Sequence, residues 1–172
     1  MRLSVLAAAL LLAACSSTQS PQYFVFPDSQ YIQPNRPGNE VAVKVFLSQA
    51  LDNGALVYQT DAHHVHFAKN HLWANPLDSA LANHISNKLN RLSPQQVFVP
   101  AARSRSSQQL KVYVEAFQGS HEGKTIVSGY ALWPNGSSKP FHAETAQAGD
   151  GYAAMVTSLA AGLEQAAQEM LE

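Results

Sequence analysis

The feature that most narrows what this chain can fold into is its single cysteine, Cys15, which closes a short apolar run and has no second thiol anywhere to pair with. An intramolecular disulfide is therefore impossible, and the folded part must be held by a hydrophobic core even in an oxidising compartment. The run itself, residues 3–14, is apolar except for Ser4, follows one basic residue, Arg2, and ends in small side chains. That is the layout of a secretory signal peptide. As a helix its twelve residues reach about 18 Å at ~1.5 Å per residue, well short of a hydrocarbon core of roughly 30 Å. A permanent transmembrane span is not expected.

An ordinary secretory signal ends in an Ala-x-Ala-like site and makes no demand for cysteine, whereas here Leu12, Ala13 and Ala14 lead directly into Cys15. This resembles the bacterial lipobox, in which the cysteine thiol takes a diacylglyceryl group, the signal is cut ahead of it, and the new amino terminus is acylated. The resemblance implies a signal peptide over residues 1–14 and a covalent N-acyl and S-diacylglycerol lipid on Cys15, with no other cofactor. The chemistry suits a thiolate nucleophile with small neighbours that admit a peptidase. One acyl chain gives marginal membrane binding and two signals anchor stably, so three chains would hold permanently. A plain signal peptide or a free buried cysteine is the alternative reading. Ser16, where an aspartate would retain the protein at the inner membrane, implies the outer membrane, lipid-anchored on the periplasmic side.

Removing residues 1–14 leaves a chain of one-domain size, large enough to bury a real core. It would also remove one of the 11 basic residues, leaving 10 against 12 acidic. No basic stripe survives, so nucleic acid is not an expected partner. Charged residues make up 13% of the chain, about half the usual share. The resulting surface repels neighbours weakly, which favours self-association or docking.

Residues 16–38 combine Ser, Thr, Gln and Asn with prolines at 21, 27, 34 and 37. Proline at that density forbids continuous helix and denies ladder donors, so residues 15–39 read as the lipidated terminus and linker. Extended, such a linker would hold a domain tens of Å off the lipid surface at ~3.3 Å per residue. Within it, residues 22–26 are strand-like and suit an edge strand ended by Pro27.

Residues 40–172 read as a single α+β domain. Alternation predicts a strand over 40–47, a hairpin from 56–60 and 65–68 with the second arm ending at 69–70, and a short strand at 97–99. A meander follows from 110–117, 124–133 and 140–147, with turns at 119–123 and 134–136. In 110–117 the pattern puts Leu110, Val112, Val114 and Ala116 on one face and Lys111, Tyr113, Glu115 and Phe117 on the other. Helix one is marked by Asn75 as cap, Pro76 at the first helical position, Asp78 in the first turn, and Leu77, Leu81, Ile85, Leu89 and Leu92 on one face. Ser93-Pro94 stops it. Helix two starts after Asp150 and buries a stripe from Tyr152 to Met170. The order of elements predicts an antiparallel or mixed β-sheet with both helices packed on one face.

No catalytic set emerges. Of seven histidines, His63, His64, His66 and His71 cluster, and His64 and His66 would share a strand face. A zinc site there would need a third ligand from elsewhere, and histidines at a hairpin tip read more simply as a solvated face. Ser128 lacks the glycine two positions before it that a Gly-x-Ser-x-Gly elbow needs. The glycine turns make no phosphate loop. Glu115 and Glu144 read as exposed strand charges rather than a paired acid and base. The aromatics are more suggestive. Trp73 and Trp133 sit at element ends, Tyr113 and Phe117 fall opposite the main apolar face, and Tyr23, Phe24, Val25 and Phe26 form the strand-like part of the linker. Either they form a partner surface, with residues 23–26 and strand edges joining copies, or the linker and helix one cover Trp73, Tyr113, Phe117 and Trp133.

Taken together, the lipobox through Cys15 and the segments 54–60 (GALVYQT), 70–77 (NHLWANPL), 122–129 (EGKTIVSG) and 150–156 (DGYAAMV) resemble the auxiliary lipoproteins of ABC-type and MCE lipid-transport systems. They span most of the mature chain in the expected order. The histidine cluster and residues 134–138 lie outside the shared pattern. What the resemblance implies is a non-enzymatic outer-membrane lipoprotein, a homo-oligomer in ring form. It would receive an MCE protein resembling PqiB, be linked through it to an inner-membrane protein resembling PqiA, and pass lipid at the outer membrane. The rival class is a structural or assembly lipoprotein that supports an outer-membrane β-barrel.

Overall fold

The computed structural model describes residues 20–172, so Cys15, Leu12, Ala13, Ala14 and the expected signal peptide lie outside the described residues. In chain order the elements are β1 (Gln22–Phe24), β2 (Asn39–Leu47), β3 (Ala55–Gln59), β4 (Val65–Trp73), α1 (Leu77–Leu92), β5 (Gln96–Pro100), β6 (Gln109–Ser120), β7 (Lys124–Leu132), β8 (Ser138–Ala146) and α2 (Gly151–Glu169). The strands form one eight-stranded mixed sheet. Helix α1 packs on β2 and β5, α2 packs on β6, β7 and β8, and the two helices touch each other. The expected α+β architecture, with both helices on one face, is the observed one.

β6 sets the register of the sheet. Along one edge it pairs antiparallel with β7, which continues into β8. Its other edge is shared: β2 runs parallel to residues 109–114, and β3 runs parallel to Gly119 and Ser120. Between the two, Ser48 captures both free carbonyls, its N–H donating to Val114 O at 3.0 Å and its hydroxyl to Glu115 O at 3.0 Å. That handover coincides with a bulge, since Val114 opposes Gly129 while Ala116 opposes Ser128. The extra residue, Glu115, shifts the side-chain alternation by one position. Phe117 therefore lies in the core beside Leu110, Val112 and Val114, and its placement on the opposite face by uninterrupted alternation is corrected.

The same bulge explains Gly129. Its backbone passes so close to β6 that a Cβ at this position would stand 1.9 Å from Tyr113 O and 2.9 Å from the Phe141 ring, with φ at +156°. Only glycine fits without moving main chain.

Residues 20–38 depart most from expectation. β1 pairs parallel with β4 at the sheet edge, and from Phe26 onward the chain is a strap laid on α1. The strap's carbonyls have no ladder to join, and backbone polar groups near a core must find partners. Asparagines of α1 supply them. Asn83 donates to Ser29 O, Asn87 donates to Asp28 O and Gln30 O while accepting from Ile32 N–H, and Arg36 reaches Asn90 O and Gln96 O. Asn90 in turn pairs with both backbone groups of Phe98 on β5. Proline excludes helix and ladder here, as expected, but not a side-chain-bound strap, so the folded unit begins at Gln22. Smaller differences follow from local packing. β4 continues past Asn70 to Trp73 because β1 pairs with its last three residues. Pro76, not Asn75, occupies the cap of α1.

Gly129→Ala should cost about 3 kcal/mol of stability, the upper end of ordinary overpacking. Urea denaturation of the purified domain checks this; an unchanged midpoint would show that β7 can shift.

Candidate functional site

The strap and the edge it makes are where the sequence placed its candidate interface, and alternation along it sorts those residues. Phe24 and Phe26 turn inward, whereas Tyr23 and Val25 point outward at 65% and 63% exposure. Phe26 is the centre of an aromatic cluster, edge-on to His84 at 4.8 Å, to Phe117 at 5.5 Å and to Trp73 at 6.0 Å between ring centroids. Phe24 lies 5.9 Å from His71, whose ring is 4.1 Å from that of Tyr152 at the start of α2. Phe26, Trp73 and Phe117 are thus core residues. The linker covers Trp73 and Phe117, which was one of the two readings the sequence left open. Trp133 is partly buried, donating its indole N–H to Met170 O at 3.0 Å and meeting Phe98 edge-on.

Tyr113 alone of the candidate strand and turn aromatics faces away from the helices. It is stacked between Phe46 at 4.8 Å and Tyr130 at 4.7 Å, with interplanar angles of 12° and 13°. The Lys44 ammonium sits 5.0 Å over Phe46. This ladder runs across β2, β6 and β7, with rings packed on each other rather than presented flat to a ligand. Sequence reasoning missed Phe46 and Tyr130; the signal was present in Phe46, which falls out of phase with Val41, Val43 and Val45. Only the register, Phe46 opposite Tyr113 and Tyr113 opposite Tyr130, brings the three together.

The other chemical candidates are spread apart. Ser128 is a strand residue of β7 opposite His142. Glu115 is exposed in the bulge, and Glu144 is bound by Lys124 at 3.1 Å, which holds its carboxyl below and the lysine above their usual ranges. In the β3–β4 turn, Asp61 accepts the backbone N–H groups of His63 and His64 and meets the His64 ring at 2.9 Å, so its carboxyl is held below the usual range. Among the described residues no three His, Cys, Asp or Glu side chains converge as a metal site. No described helix is long and apolar enough to cross a membrane.

Among the described residues, His84 is the titratable group carried fully into the strap contact. It is 2% exposed, its Nδ1–H donates to Pro27 O at 2.7 Å, and its Nε2 has no partner among the described residues. Burial, reinforced by the Lys88 charge, pushes it below its ordinary 6.5, against the upward pull of the Pro27 bond.

Compared with known proteins, residues 28–171 match the family described as ABC-type transport auxiliary lipoprotein component. The chain is 33% identical, over 173 aligned residues, to the proteins named Intermembrane transport lipoprotein PqiC from Escherichia coli (strain K12) and from Shigella flexneri. In each case 96% of this chain and 92% of the relative are covered. It is similar to the crystal structure of an uncharacterized protein with a TM-score of 0.73 at 29% identity, covering 87% of this chain and 95% of the other. A protein from Xanthomonas campestris has the same fold, with a TM-score of 0.65 at 13% identity, over 87% and 92% of the two chains.

Phe26→Ala should cost about 3–5 kcal/mol, the usual range for removing a buried phenylalanine. In the unfolded chain His84 takes up a proton that the folded domain refuses, so stability falls as pH drops below the ordinary value of 6.5. His84→Gln should weaken that fall, seen as a smaller difference between urea midpoints at about pH 7.5 and about pH 5.5.

Proposed function

The chain belongs to the ABC-type transport auxiliary lipoprotein component family, and from that membership we propose that it is the outer-membrane lipoprotein of an intermembrane lipid-transport system of the MCE type. That family is one of transport components, not of enzymes. In this reading Cys15 carries the acyl chains and pins the domain to the periplasmic side of the outer membrane. The domain then acts as a docking collar for a periplasm-spanning MCE protein resembling PqiB, which connects to an inner-membrane protein resembling PqiA. Lipid passes between the membranes through the shielded path, and its loss weakens membrane integrity. Copies of the chain assemble into a ring.

The observation that carries the reading is the near-full-length relationship to proteins named for intermembrane transport. The structure is compatible with a passive part. Its titratable groups are spread over the surface or locked in the core, and its strap fixes the anchored end rigidly to the sheet. Of the candidate interface residues, Tyr23 and Val25 have the exposure a contact between copies needs.

The test is recovery of the acylated protein from detergent-solubilised membranes together with whatever is bound. An MCE protein is the expected companion; an outer-membrane β-barrel in its place would favour the structural or assembly role. Cys15→Ser should leave the outer-membrane fraction and lose complementation, and full retention of both would overturn the anchor. Tyr23→Glu with Val25→Glu should reduce the oligomer seen by light scattering. This pair is preferred to deleting residues 22–26, which would also remove Phe26 from the core.

A further inference from the structure

Six residues, 16–21, separate Cys15 from Gln22, the first residue of β1. Fully extended they reach about 20 Å at ~3.3 Å per residue. β1 is parallel to β4 with Gln22 opposite His71, so the chain arrives from the side on which β4 begins. From His71 back to Val65 is likewise six residues, again about 20 Å of strand, and it leads to the β3–β4 turn. The reach of the tether therefore equals the overhang of the hairpin. An anchor at Cys15 would let the β3–β4 tip reach the lipid surface, with the opposite end of the sheet and its β7–β8 turn pointing away.

What the tip presents suits that position. Val65 and Phe67 lie on one face of β4, two residues apart, and are 44% and 40% exposed. Lys69 follows on the same face, also exposed. Among the described residues, β1 pairs only with His71–Trp73 of this edge, so the Val65–Phe67 stretch is open on its outer side. Part of the acidic charge at this end is already engaged. Asp61 is bound within its own turn, and Glu122 stands 3.6 Å from Lys124. Asp150, just past the end of β8 on this side, is exposed and has no ion-pair partner among the described residues, so the contact rests on the apolar side chains and not on charge.

We propose that the β3–β4 hairpin is a second, weak membrane contact, in which Val65 and Phe67 dip into the headgroup region of the leaflet that carries the Cys15 acyl chains and so orient the domain on it. The inference rests on the lipid-anchor reading above. Two apolar side chains bind poorly alone, but a lipid anchor already supplies the first signal and the contact needs only to select an orientation.

The test uses the acylated full chain in vesicles of phosphatidylethanolamine and phosphatidylglycerol, with an environment-sensitive fluorophore on Phe67→Cys, on Val65→Cys, and on Asn135→Cys in the β7–β8 turn as the distal control. Acylation blocks Cys15, so each variant carries one label. The expected result is blue-shifted emission at 65 and 67 that nitroxide-bearing lipids quench, and water-like emission at 135. Protein that floats with the vesicles but gives water-like emission at both hairpin positions overturns the orientation and leaves the anchor standing. A blue shift that nitroxide lipids do not quench overturns it too, because protein rather than lipid then covers the hairpin. Protein that does not float overturns the anchor, and the orientation with it.

Discussion

The sheet depends on β6 lending one edge to two strands in succession. β2 takes the first half of that edge and β3 the end. The change of partner would leave carbonyls stranded if Ser48 did not take both of them. The bulge at Glu115 absorbs the misfit, and its effect reaches both faces. It delivers Phe117 to the core, where Phe26 and Trp73 close over it, and leaves Tyr113 on the open face, where it stacks with Phe46 and Tyr130. Gly129 opposite the bulge is the backbone complement of the same irregularity. One inserted residue thus decides which aromatics hold the fold together and which remain available at its surface.

The second constraint is polar. A proline-rich segment cannot enter a ladder, and α1 binds it through the asparagine amides of Asn83 and Asn87 and through the Asn90 carbonyl, which accepts from Arg36. These side chains spend the helix's polar face on main chain instead of solvent. The amino-terminal segment is thereby part of the domain from Gln22 onward, not a free linker running to residue 39.

Much of this was legible in the residues. Strong periodicity placed both helices and every strand of the meander, because each buries one face and its pattern is the direct record of that burial. The bulge was not legible, since a run such as 110–117 alternates without interruption and only the partner strand reveals the extra residue. The strap was missed for a related reason: proline content says what a segment cannot form, while the asparagines that hold it lie over fifty positions away. Their spacing, Asn83 and Asn87 one turn apart on α1, was the available sign. Within the candidate segment 23–26, only the register separates Tyr23 and Val25, which face outward, from Phe24 and Phe26, which do not.

The short parallel pairing of β1 with β4 also has a mechanical meaning. A pull applied ahead of Gln22 would be transmitted along the axis of β1, across hydrogen bonds that lie side to side, so they would be strained together instead of opening one after another. Behind them Phe26 acts as a stopper seated against Trp73, Phe117 and His84. Tension applied from the amino-terminal side would thus be carried by the strand edge and the aromatic core jointly, and a three-residue strand becomes a firm mooring.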